Sequence, residues 1–206
     1  MSELGLLHHF LGLGIIQTDK GIFIHQKKYA KSLLEKFGLK DCKAVKTTLA
    51  ITDKLSKVDG SEDADENLYR IMVGSLLYLT TTRPDLMYAS CVLARFMHKP
   101  TRKQMGTAKS VLRYVQGTLD FGIEYVKGKA AVLIGYCDSD WVGSLDDMKK
   151  VEYVSVAEAT TQAMWLRTEE QLADIFTKAL PKDRFEYLRA ALGVKSAKHL
   201  EGSIGV

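Results

Sequence analysis

Two carboxylates in the run CDSDW, Asp138 and Asp140, stand just past the end of a strand-like stretch. Acids at a strand end can turn into one site and hold a divalent cation through hard oxygen ligands. Taken alone, Asp-x-Asp after a strand is more commonly a solvated turn. Two further acids change the weighing: Glu152 opens a helix in VEYVSVAEAT, and Asp174 lies on another helix in LADIFTKAL. If those helices pack on the strands, three separated carboxylates converge, a placement that spacing alone does not establish. Spacing alone leaves open which of Asp138 and Asp140 comes first.

A second chemistry is carried by bases. Lys27, Lys28 and Lys31 share one helix, and Arg95, Lys99, Arg102, Lys103, Lys109 and Arg113 cluster around a later helix boundary. Such residues can track phosphates and give a salt-dependent affinity. They also suit the solvated side of any amphipathic helix, and the two readings weigh equally. Tyr78, Tyr88, Phe96 and Tyr114 lie on or beside inward stripes and are expected mostly in the core rather than as stacking platforms. His8 and His9 precede the first hairpin, and adjacent residues of a strand point to opposite faces, so joint chelation is not expected. Cys42, Cys91 and Cys137 form no metal or disulfide pattern, and Cys91 and Cys137 are expected buried or half-buried.

The elements that must position these groups read as follows. Residues 10–16 and 21–25 are apolar and flank Thr18-Asp19-Lys20-Gly21, which predicts a β-hairpin. Ala30, Leu33, Leu34 and Phe37 then fall at helical spacing before Gly38. Residues 39–66 lose periodicity and end in SEDADE, a surface connection. Three helices follow. The first carries Leu68, Ile71, Met72, Ser75, Leu76 and Leu79 on one face; the second starts near Pro84 with Leu86, Ala89, Leu93 and Phe96; the third opens on the capping box Thr101-x-x-Gln104, with Met105, Ala108, Leu112 and Val115 inward. A second hairpin, Phe121–Val126 with Ala131–Tyr136, is expected after Gly117. Helical spacing returns around Val154 to Trp165, again at Leu172 to Leu180, and a last helix after Pro181 carries Phe185, Leu188 and Leu192. The tail after Gly193 has no period and is expected to be disordered.

The chain has 206 residues, 46% hydrophobic and 26% charged, a composition that excludes extensive disorder. No apolar run reaches the roughly 20 residues of a membrane helix and the N-terminus lacks a signal peptide's features, so the expectation is an intracellular protein, cytoplasmic or nuclear, without a membrane partner. A net charge of +4 permits nucleic-acid contact without demanding it.

The segments LGLLHHFLGLGI, GIFIHQKKYAKSLLEKFGL, YRIMVGSLLYLTTTRPDLMYA, LRYVQGTLDFGIEY, GYCDSDWVG and LADIFTKAL resemble, in order, successive motifs of the Pol polyprotein of copia-type LTR retrotransposons. The resemblance covers about residues 2–193. It implies a helix-rich mixed α/β chain. Residues 1–117 would be the C-terminal end of the reverse transcriptase, a primer-gripping hairpin with thumb and connection helices that face the template–primer. Residues 118–193 would be a ribonuclease H domain, which hydrolyses the RNA strand of an RNA–DNA hybrid with two magnesium ions, and 194–206 a disordered tail. On this resemblance Asp138 is the first catalytic and metal-binding carboxylate, Glu152 the second and Asp174 the last.

The same resemblance shows what is lacking. The family has further strands between the positions of Asp147 and Glu152, and a strand with its third aspartate after Trp165-Leu166-Arg167; the polymerase aspartates would precede Met1. The expectation is a degenerate fragment, catalytically defective, with vestigial site residues and no functional magnesium. It would act through nucleic-acid binding or by pairing with another Pol chain.

Overall fold

The computed structural model describes residues 7–50, 55–128 and 174–199. The expected first hairpin is present: β2 (Leu13–Thr18) and β3 (Gly21–His25) pair antiparallel across the two-residue turn Asp19-Lys20. A short β1 (His9–Phe10) lies on the outer side of β2.

The strand β4 (Phe121–Val126) forms where its alternation predicts, but its neighbours come from far along the chain. One edge pairs with β3, from Gly21↔Val126 to His25↔Gly122. The other pairs over Phe121–Ile123 with β5 (Val194–Ser196). The sheet among the described residues is thus β1-β2-β3-β4-β5, antiparallel throughout, and it crosses the boundary expected at Gly117. The hairpin partner expected for β4, residues 131–136, lies outside the described residues, as does the helix expected around 154–165. The disordered tail expected from residue 194 needs correction at its start: Val194 is buried, and β5 closes the sheet. Aperiodicity over three residues is no evidence against a strand whose hydrogen bonds come from β4.

Register places Ile15, Ile24, Ile123 and Val194 in one row, on the sheet face that also carries Phe121. The Phe121 ring meets the guanidinium groups of Arg83 and Arg189, so this face turns toward the helices.

The helices are α1 (Lys27–Lys36), α2 (Glu66–Leu79), a 3-10 turn (Pro84–Leu86) running into α3 (Met87–Ala94), α4 (Arg102–Gly117), α5 (Asp174–Thr177) and α6 (Lys182–Ala191). The capping box forms as read. Thr101 Oγ1 accepts from Gln104 N at 3.3 Å, and Gln104 Oε1 accepts from Thr101 N at 2.9 Å. Asp65 caps α2 by accepting from Leu68 N at 2.9 Å.

The expected apolar face of α2 is only partly right. Met72, Leu76 and Leu79 are buried, but so are Tyr69 and Val73, while Leu68 and Ile71 remain 40% and 45% exposed. The helix is rolled so that Tyr69 points inward, where its hydroxyl donates to the Leu93 carbonyl at 2.8 Å and links α2 to α3. Phe96 and Tyr114 are buried as expected, Tyr78 is exposed, and Cys91, expected at least half-buried, is exposed. One apolar cluster joins α1 to α4 with Ile175, Leu180, Phe185 and Leu188 of the C-terminal segment.

Candidate nucleic-acid interface

Of the three carboxylates expected to bind metal, Asp138 and Glu152 lie outside the described residues. Asp174 opens α5, and its Oδ1 accepts an ion pair from Lys178 at 2.8 Å, one turn on. Among the described residues no group of three or more His, Cys, Asp or Glu side chains is placed to hold a metal ion. Asp174 with a lysine on its oxygen does not by itself fit a magnesium site.

The nine basic candidates separate into two groups. Lys27, Lys28 and Lys31 are exposed on α1, whose opposite side buries Ala30, Leu33 and Leu34. None of the three ion-pairs with an acid among the described residues. The start of this helix is firmly set. Gln26 is buried, accepting from Thr82 Oγ1 at 2.8 Å and donating from Nε2 to the Tyr78 carbonyl at 3.4 Å. His25 Nδ1 accepts from the backbone N–H of Lys27 at 3.2 Å, in place of an N-cap side chain. Its ring lies over Gly14, where a Cβ would come within 2.4 Å of His25 Cε1, so only glycine fits there. Burial first, then the charge of Lys27, then His9, hold the His25 pKa below its ordinary value. His25 is therefore favoured as the neutral acceptor that carries its proton on Nε2.

The second group is largely engaged. Lys99 lies 3.6 Å from Asp63, and Arg102 pairs with Glu62 at 2.9 Å. Asp59 accepts from Ser61 and Thr101, bonds that hold its pKa below the usual carboxylate value. Arg113 Nε donates to the Lys43 carbonyl at 2.8 Å. Lys109 is exposed beside a groove of about 410 Å³ lined by Leu68, Met105 and Gly106. Arg95 is exposed at the end of α3.

Sequence reasoning overlooked a buried polar network in TTTRPDLMYA. Arg83 and Asp85, 4% and 0% exposed, form a bidentate pair with bonds of 3.0 and 2.8 Å. Arg83 also donates to the Thr118 carbonyl and hydroxyl, Tyr114 donates to Asp85 at 2.6 Å, and Arg189 donates to the Tyr114 hydroxyl at 2.8 Å. Burial works against the Asp85 carboxylate, but Arg83 chiefly, with Tyr114 and Arg189, holds its pKa below the ordinary value. The available signal was an Arg and an Asp flanking Pro84 in an otherwise apolar and small-polar run.

Comparison with known proteins decides what kind of chain this is. It is 41% identical over 69% of its length to an uncharacterized mitochondrial protein of Arabidopsis thaliana, covering 59% of that protein. It is 41% identical over 68% of its length to the retrovirus-related Pol polyprotein from transposon RE2 of the same plant, and 35% identical over 72% to that from transposon TNT 1-94 of Nicotiana tabacum. The chain belongs to the Pol polyproteins of copia-type transposons. This Pol fragment spans 10% of the first transposon polyprotein and 12% of the second. No protein-family model and no solved structure matches it. Within the Pol fragment, the hairpin fixes α1, and the Arg83–Asp85 network ties the 3-10 turn, α4 and α6 together.

Proposed function

We propose that the chain is a catalytically defective piece of a copia-type reverse transcriptase and ribonuclease H. Residues 1–117 correspond to the primer-gripping hairpin, thumb and connection, and residues 118–193 to an internally deleted nuclease region. The parental chemistry is RNA-directed DNA synthesis and magnesium-dependent hydrolysis of the hybrid's RNA strand. What the fragment keeps is contact with the phosphate backbone of a template–primer or RNA–DNA hybrid inside the cell. The observation that carries the reading is α1, where three exposed lysines without acidic partners among the described residues sit on a helix anchored by His25 and Gln26. Unpaired cations on a fixed helix release counterions from a polyanion on binding, at little ordering cost to the protein.

Catalysis is not expected. On the sequence resemblance, no residue of the chain matches the family's third nuclease aspartate. The test is incubation of the purified 206-residue chain with a labelled RNA–DNA hybrid and magnesium. Retarded but uncut hybrid is the expected result. Magnesium-dependent cleavage abolished by Asp138→Asn would overturn the defective-enzyme reading, and absence of any salt-sensitive binding would overturn the binding one.

A further inference from the structure

The acidic segment that looks like a free surface connection is tied down against the basic start of α4. Its backbone is bonded there twice, Ala64 N to the Pro100 carbonyl and Arg102 N to the Glu62 carbonyl, both at 2.8 Å, and Asp63 forms a β-bridge with Thr101. Its side chains meet two of the bases: Asp63 pairs with Lys99 at 3.6 Å and Glu62 with Arg102 at 2.9 Å. We propose that residues 59–65 are an electrostatic strap that offsets the charge of Lys99 and Arg102 toward polyanions and so shifts phosphate contact toward α1. The inference rests on the binding reading given above and extends it to which surface does the binding.

Stability is not the strap's main consequence. Glu62, Asp63, Lys99 and Arg102 are well exposed, and such pairs contribute little to folding. Field cancellation is another matter, because charges a few ångströms apart are seen together by a phosphate within a Debye length of about 8–10 Å. Two bases matched by two acids present almost no net charge, whereas Lys27, Lys28 and Lys31 have no acidic partner among the described residues. The backbone bonds keep the strap in place when its side-chain charges change, which makes the device separable from the fold.

The experiment compares the full chain with E62Q/D63N, measuring affinity for a short RNA–DNA hybrid across a salt series, with far-ultraviolet circular dichroism to confirm the fold. Freeing Lys99 and Arg102 should tighten binding at low salt and steepen the slope of log K against log salt by about 1.8, or roughly tenfold more loss of affinity between about 50 and 200 mM salt. Adding K99Q/R102Q to that variant should restore the original slope. If the double variant is unfolded, E62Q alone, which leaves the Asp63 bridge untouched, should show about half the steepening. An unchanged slope in folded variants overturns the proposal. If the unmodified chain does not bind but the strap variant does, the strap stands and the α1 reading falls.

Discussion

Asp85 shows how a single residue can hold distant parts of this chain. Its carboxylate receives Arg83 on both oxygens and Tyr114 on one, and Tyr114 in turn receives Arg189 from α6. Removing one partner of a buried pair leaves the other charge uncompensated, which costs more than the pair itself contributes. Asp85→Ala is therefore expected to lose about 3–5 kcal/mol, read as a drop in urea midpoint. His25 gives a pH dependence with a definite sign. Its pKa is lowered in the fold from 6.5, so the unfolded chain takes up its proton first. The contribution of His25 is fully present above about pH 6.5 and is lost as pH falls through that value toward the folded pKa. Urea midpoints at about pH 7.5 and about pH 5.5 should differ more for the unmodified chain than for His25→Gln. Neither residue's role was legible in the sequence, since an Arg-Pro-Asp triplet and a strand-end histidine acquire meaning only from what packs over them.

The helices were the legible elements. Ala30, Leu33 and Leu34 on α1 and Ala108, Leu112 and Val115 on α4 are buried as their spacing requires. The Thr101 and Gln104 capping box could be read from four residues because both of its bonds are local. Thr101 also donates to Asp59 Oδ2 at 2.7 Å, so Thr101→Ala removes a cap and a strap contact together. Its expected cost is at the upper end of about 0.5–2 kcal/mol, with a lower melting temperature as the readout. The face of α2 was misjudged because the helix is apolar on more than one side, and spacing does not say whether Leu68 or Tyr69 turns inward. A hydrogen bond to α3, not periodicity, decides it. The pairing of β4 was equally hidden, because its neighbours β3 and β5 are far away in sequence and alternation carries no address.

At the scale of the molecule, the C-terminal segment completes the N-terminal one. Phe185 and Leu188 enter the same apolar cluster as Leu76 and Leu112, and β5 covers part of the edge of β4. The family was legible because its motifs lie in order. The candidate nuclease site was legible only as Asp138, Glu152 and Asp174, of which the described residues include Asp174 alone. The basic residues were all legible, but not their division: a count of lysines and arginines cannot show that SEDADE pairs with Lys99 and Arg102 and, among the described residues, with none of the α1 lysines. The central claim is that the lysines of α1 carry the larger part of this Pol fragment's phosphate contact. Its most direct test is hybrid affinity across a salt series for the full chain and for K27E/K28E/K31E. The account predicts a slope shallower by about 2.7 in the variant, with loss of low-salt affinity. Equal affinity and equal slope for the two proteins would contradict it.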